Sequence, residues 1–129
     1  MFANDWDKLS IKGTVHRSVN DSGDLFVKSA GDDPRINFPL LSFKANTRYL
    51  IDIQMTSSVE SRLQIYYTES TQKTRALSEK NSLRFPVKKG ENTVHAFIGV
   101  NNLGRVMRLD PIATAGEVTI KRLKIIALD

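Results

Sequence analysis

The sequence predicts an all-β fold, a two-sheet antiparallel β-sandwich of jelly-roll type. Three observations support this: apolar residues recur at every second position through most of the 129 residues, clusters of turn formers separate these runs, and no segment longer than about ten residues has convincing helical periodicity. So many half-buried strands need a second sheet to cover their apolar faces. We therefore expect residues 1–129 to form a single domain of about eight or nine strands, which could be one trimmed from a longer protein.

Two central strands show the clearest alternation. The inward positions are Tyr49, Ile51, Ile53 and Met55 in the first strand, and Leu63, Ile65 and Tyr67 in the second. The intervening "SSVES" has the composition of a hairpin connection, so we expect these two strands to pair.

The later strands carry two local signals. Pro86 cannot donate a ladder hydrogen bond, which predicts an edge strand or a bulge at 83–87. In the last strand the apolar alternation that includes Val118 and Ile120 slips by one residue farther along, which predicts a β-bulge near Lys121 and Arg122. Between them, "NTVHAFIGV" buries either Val94, Ala96 and Ile98 or His95 and Phe97, and the first set is longer.

The first forty residues are less regular. They contain three short strand candidates, "LSIKGTVHRS", "LFVKSA" and "RINFPL", separated by turn-rich segments. Trp6 either packs over an end of the sandwich or stacks on a ligand. The polar segment 70–81 is a loop or one short helix.

Composition limits the environment and the partners. The chain has no cysteine, which favours a reducing compartment, and its first residues lack a signal peptide; we expect a cytoplasmic domain, membrane-associated only through a parent protein. No apolar run is long enough to span a bilayer. The net charge of +5 lies in the C-terminal half, and it suits either a solvated sheet face or a surface that attracts nucleic acid, anionic lipid or acidic polysaccharide.

Catalytic and metal-binding motifs are missing. His16 and His95 are the only histidines, and neither stands in a metal-ligand spacing or beside a nucleophile motif, so we expect no enzyme and no cofactor. Carboxylates in the loops could in principle ligate calcium, although turn formation explains them as well. These carboxylates are Asp5 with Asp7, Asp32 with Asp33, and Asp21 with Asp24.

The outward positions of the strands suggest a ligand-binding face. If the two central strands pair, their amides, carboxylate and aromatic ring share one surface, which a neighbouring arginine and histidine extend. Sugars need such planar polar partners and a ring to stack on, although a solvated sheet face with one partly exposed tyrosine has the same composition. The predicted ligand-binding residues are Asp52, Gln54, Gln64, Tyr66, Arg84 and His95.

A second set of residues has the pattern of a structural turn. Arg108 and Asp110 emerge on the same side at the end of a strand and could pair with each other or with a neighbouring loop. Pro111 then fixes the exit of the chain, and Gly116 begins the last strand. A ligand contact by Arg108 is the alternative.

The segment "GRVMRLDPIATAGEVTIKRLKI", with "YYTES" and "VKKGENTVHAFI", resembles a β-sandwich module of bacterial glycosyltransferases and related cell-surface polysaccharide proteins. The resemblance covers most of residues 47–128 and implies a noncatalytic carbohydrate-binding module, accessory to a catalytic domain of the same parent chain, with a glycan as partner. We expect no nucleic acid as partner, because the aromatic and basic residues are not interleaved as in stacking platforms. The alternative is a structural or oligomerisation module that binds no sugar.

Overall fold

The computed structural model describes residues 2–14, 16–31 and 33–128, and over these residues it is a sandwich of two five-stranded antiparallel sheets. Sheet 1 contains β1 (Ser10–Lys12), β4 (Arg35–Asn37), β9 (Leu103–Asp110), β6 (Ser61–Glu69) and β7 (Ser82–Val87), in that spatial order. Sheet 2 contains β2 (His16–Val19), β3 (Leu25–Ser29), β10 (Gly116–Ala127), β5 (Tyr49–Ser57) and β8 (Gly90–Ile98). Short 3-10 helices occur at Trp6–Lys8 and Glu79–Asn81. The predicted jelly-roll sandwich is confirmed.

The core lies between the sheets and is built from the inward residues of the alternating strands. Ile51 and Ile53 of β5 face Leu63 and Ile65 of β6 across the sandwich interior, and all four are essentially fully buried. The inward phase predicted for β5 and for Val94, Ala96 and Ile98 of β8 is confirmed, and His95 points outward.

The predicted pairing of the two central strands is wrong. β5 pairs with β8 and β10 in sheet 2, whereas β6 pairs with β7 and β9 in sheet 1. The connection between them carries the chain across the sandwich. It is fastened at Ser57, whose hydroxyl donates to the carbonyl of Val59, and at Ser58, whose amide donates to the carbonyl of Glu117. A sheet change of this kind leaves the local alternation intact.

Two irregularities occur where they were predicted. In β10 the register with β5 jumps between Ile120 and Arg122, so Lys121 is the extra residue of a bulge that returns Leu123 to the core. Pro86 lies on β7, an edge strand of sheet 1.

The N-terminal strand candidate divides into β1 and β2, which lie in different sheets. Gly13 has φ +74° and lies so close to the chain at Asp33 that a Cβ would be 2.5 Å from the carbonyl oxygen of Asp33. Only glycine fits this site, so strand geometry breaks there. Trp6 packs into the core, and its indole Nε1 donates to the carbonyl of Gly23 at 2.7 Å.

Candidate functional site

Three groups in the described part of the chain have clearly displaced pKa values, and all three lie on the outer face of sheet 1. They are Tyr66, Glu79 and Asp110. Displaced pKa values concentrate at functional sites, because function requires polar groups held together and partly out of water. We call the outward-pointing side chains of β1, β4, β9, β6 and β7 the sheet-1 outer face. They are Lys12, Arg35, Asn37, Arg62, Gln64, Tyr66, Ser82, Arg84, Arg108 and Asp110.

Glu79 links β6 and β7 on this face. Its carboxylate accepts from Gln64 Nε2 at 2.7 Å and from the Tyr66 hydroxyl at 2.9 Å, and it is ion-paired with Arg84. These hydrogen bonds, from Gln64 first and then Tyr66, hold the pKa of Glu79 below its ordinary value. The segment 70–81, predicted as a loop or short helix, is mostly irregular and ends in the 3-10 helix that carries Glu79 onto the sheet.

Arg108 and Asp110 form the centre of the face. The guanidinium donates from Nε and Nη2 to the two carboxylate oxygens of Asp110, at 2.9 and 3.0 Å. Burial raises the pKa of Asp110, and the hydrogen bonds from Arg108 oppose that rise. The sequence left open whether these residues pair with each other or with a neighbouring loop; the structure shows the first, and the pair lies within the candidate site.

Tyr66 is more covered than the sequence predicted. The residue is only 8 % exposed, since Arg108 lies over the ring with Cζ 4.3 Å from its centroid and the hydroxyl donates a hydrogen bond to Glu79. Burial, followed by the hydrogen bond to Glu79, raises the pKa of the phenol. The expectation of a partly exposed tyrosine is therefore wrong, because its neighbours on β9 and in the 70–81 segment cover it.

Depressions lie at both sides of this central group. One, of about 420 Å³, is lined by Gly31, Asp33, Arg35 and Arg108. The other, of about 290 Å³, lies at the β6–β7 edge beside Arg62, Arg84 and Pro86. Arg35 on β4 and Arg84 on β7 are three strand spacings apart, or about 14 Å. The face thus offers a rigid polar strip with a hollow at each end.

The other predicted ligand-binding residues lie on the opposite side of the molecule. Asp52 and Gln54 of β5 and His95 of β8 belong to the outer face of sheet 2, so the predicted six-residue surface divides into two faces. The reason is the sheet change between β5 and β6. We call this second surface the sheet-2 outer face. Its central side chains are Leu50, Asp52, Gln54, His95, Phe97, Arg122, Lys124 and Ile126.

Arg122 organises the sheet-2 outer face. Its Nε donates to Asp52 at 2.7 Å and its Nη1 donates to the Gln54 amide oxygen at 3.0 Å, while His95 Nε2 lies 3.2 Å from the same carboxylate. Next to this group Phe97 is 47 % exposed, with Arg48 over its ring. Arg122 was not predicted as a site residue from the sequence. The predicted bulge was the available signal, because the extra residue turns the Arg122 side chain to the outer face.

A further cavity of about 430 Å³ lies at one end of sheet 1. Its lining includes Phe43, Glu69, Gln72, Arg75 and Arg105. The Gln72 amide oxygen accepts from the Glu69 amide and from Asn81, and its nitrogen donates to two carbonyls of the following turn. This amide holds the turn in place and has no capacity left for a ligand.

Within the described ranges no three side chains of His, Cys, Asp or Glu come together to hold an ion. At the predicted acidic loop, Asn20 Oδ1 accepts from the amides of Ser22 and Asp24, which is a turn closed by its own asparagine. Asp32 lies outside the described residues.

No helix in the part of the chain that the structure describes has the length and apolar character needed to cross a membrane.

The fold is that of carbohydrate-binding modules. The chain superposes on a CBM4 module with a TM-score of 0.73 at 7 % identity, covering 95 % of this chain and 96 % of that one. It also matches the second N-terminal cellulose-binding domain of Cellulomonas fimi β-1,4-glucanase C, with a TM-score of 0.67 at 15 % identity over 94 % and 86 % of the two chains. A third similar structure is the C-terminal CBM6 of the laminarinase LamC from Zobellia galactanivorans, at 0.58 and 17 %, with 90 % of each chain covered.

Sequence comparison adds nothing to this likeness. No family model matches the chain, and no curated protein matches its sequence significantly. The similarity is therefore one of fold.

Proposed function

We propose that this chain is a noncatalytic carbohydrate-binding module that holds a glycan across the sheet-1 outer face. The observation that carries the proposal is the strip of fixed planar groups between the two hollows. Gln64 and Arg84 stand side by side on β6 and β7, Arg108 lies on the adjacent β9, and their partners lock each in one orientation. Sugar hydroxyls donate and accept hydrogen bonds at once, so they bind well to preorganised amides, carboxylates and guanidinium groups.

The fold likeness to carbohydrate-binding modules supports the same function. Accessory modules act beside a catalytic domain, and the Arg108–Pro111 resemblance points to a bacterial glycan-assembly glycosyltransferase as parent. Two of the similar structures instead come from a β-1,4-glucanase and a laminarinase, which makes a polysaccharide-cleaving parent the competing proposal.

A glycan array tests the function, run with calcium and with a chelator because calcium binding by the acidic loops remains a prediction. A selective hit supports the module, and a blank array in both conditions contradicts it.

Matched glutamines on the two faces then locate the site by calorimetry with the best array ligand. Gln64→Ala should weaken binding about tenfold or more, since its amide belongs to the strip, and Gln54→Ala should leave affinity unchanged. The reverse result would place the site on the sheet-2 outer face. Thermal unfolding of both variants separates lost contacts from lost structure.

A structural module is the second candidate, and a specific observation supports it. Leu50, Phe97 and Ile126 stand side by side at one end of the sheet-2 outer face, with Phe97 and Ile126 both exposed. An exposed apolar group of this kind marks contact surfaces. Light scattering that shows a dimer, converted to a monomer by Phe97→Ser, would favour this candidate when the array is blank.

A further inference from the structure

The sheet-1 outer face has an excess of unpaired positive charge. Five basic side chains lie on it, and two are neutralised by carboxylates, Arg84 by Glu79 and Arg108 by Asp110. The remaining three, Lys12, Arg35 and Arg62, are exposed and make no ion pair with another described residue.

Two guanidinium groups meet at one hollow. Arg35 and Arg108 line the depression of about 420 Å³, together with Asp33. Arg108 spends Nε and Nη2 on Asp110, so its Nη1 hydrogens are left for a ligand. Asp110 is 3 % exposed and fixes the plane of that guanidinium beneath the surface. Arg35, which has no ion pair with another described residue, supplies positive charge at the hollow, and the free Nη1 hydrogens of Arg108 add fixed donors that suit a carboxylate.

The same face lacks an open aromatic ring. Tyr66 is covered by Arg108, and among the described residues the one exposed phenylalanine, Phe97, belongs to the other face. Stacking on an aromatic ring is a main source of affinity for uncharged sugars, so this face must obtain affinity from charge and hydrogen bonds.

We propose that the module is specific for acidic glycans and that the carboxylate of a uronic acid residue binds in the hollow between Arg35 and Arg108. This inference rests on the proposed function and names its substrate class. Asp33, which lines the same hollow, accepts hydroxyls of the bound residue. Lys12, the cross-strand partner of Arg35, and Arg62 on β6 attract the carboxylates of neighbouring residues in the polymer.

The test uses polygalacturonate, alginate and hyaluronate, each beside its carboxyl-reduced form, which keeps the backbone and removes the charge. We expect at least one uronate polymer to bind, its reduced form to bind at least tenfold more weakly, and affinity to fall as salt rises. Arg35→Gln should lower affinity at least tenfold. Arg48→Gln, an identical change beside Phe97 on sheet 2, should lower it less than twofold.

Each other result overturns a defined part of the proposal. Equal binding of native and reduced polymers, or binding of neutral array glycans alone, removes acidic specificity and leaves the carbohydrate-binding function standing. Equal losses from Arg35→Gln and Arg48→Gln remove the proposed hollow. Single-stranded DNA that binds as tightly as the uronates shows a general polyanion surface. Absence of binding to every glycan contradicts the proposed function itself.

Discussion

The two outer faces contain the same ion pair at different depths. On sheet 1, Asp110 and Arg108 are neighbours on one strand, and their side chains are 4 % and 23 % exposed. On sheet 2, Asp52 and Arg122 lie on adjacent strands and are 14 % and 33 % exposed. The shallower pair shares its carboxylate with the exposed His95, whereas the arginine of the deeper pair packs over the ring of Tyr66. Burial thus makes one pair a fixed element of the fold and leaves the other close to an ordinary surface contact.

The largest expected effect comes from removing the carboxylate of each pair. Asp110→Ala leaves a partly buried guanidinium without its partner and should lower the free energy of unfolding by about 3 kcal/mol. Asp52→Ala removes a more exposed contact and should cost about 1 kcal/mol. Urea denaturation followed by circular dichroism measures both. Equal losses would show that depth does not distinguish the pairs.

The second largest loss of stability is expected at a bulge, which each sheet has near its arginine–aspartate pair. In sheet 1 the β6–β9 register shifts at Thr68, whose hydroxyl donates to the carbonyl of Val106. A Cβ at Gly104 would be 2.6 Å from that hydroxyl oxygen, so Gly104→Ala should destabilise the protein by about 2 kcal/mol. Gly99→Ala is the control, since nothing lies within 4 Å of its Cβ position. A neutral Gly104→Ala would mean that the bulge relaxes freely.

A smaller loss of stability is expected from changing Tyr66, which lies beneath Arg108 on sheet 1 and has no counterpart beneath Arg122 among the described residues of sheet 2. Tyr66→Phe removes the hydrogen bond to Glu79 and should cost about 1 kcal/mol in unfolding free energy. It should also raise the pKa of Glu79 toward the ordinary 4.5, because one of the bonds that lower it is gone. Tyr67→Phe is the matched control, as its hydroxyl bonds to no other described residue. An unchanged Glu79 titration in Tyr66→Phe would contradict the network.

The smallest effect is the pH dependence of stability. Glu79 has a lowered pKa in the folded protein, so its contribution is present above pH 4.5 and lost as pH falls through the folded pKa. Asp110 has a raised pKa, so its contribution is full below pH 3.8 and lost as pH rises through the folded pKa. The two slopes have opposite signs, so each group offsets part of the other's effect on the stability of the native protein.

Carboxyl NMR titration checks this directly, and the single variants Glu79→Gln and Asp110→Asn should each expose the slope of the remaining group. A steep native profile that either variant leaves unchanged would assign the dependence to other carboxyls.

The alternation of apolar and polar residues was sufficient to predict most of the fold. Alternation fixed which residues of β5 and β8 face inward, and the broken phase after Ile120 located the bulge. The pair Arg108 and Asp110 was also accessible, because residues two apart on a strand share a face.

The arrangement of the site was not accessible in the same way. Whether β6 follows β5 in one sheet or crosses to the other depends on which faces the rest of the chain covers, and the segment 58–60 has the composition of either connection. This single ambiguity separated Asp52 and Gln54 from Gln64 and Tyr66. Glu79 was missed because its segment has no periodicity, and only the packed structure brings it onto sheet 1.

The position of Trp6 makes its fluorescence a reporter of unfolding that does not respond to a ligand on either outer face. It is the only tryptophan, its indole is buried and hydrogen-bonded to Gly23, and its own carbonyl accepts from Arg17. Neither neighbour belongs to the central group of either outer face. Its fluorescence should therefore shift to longer wavelength when the chain unfolds and stay constant when a glycan binds. A rise in the unfolding midpoint on adding a polysaccharide can then be followed without a label and without interference from the ligand contact itself.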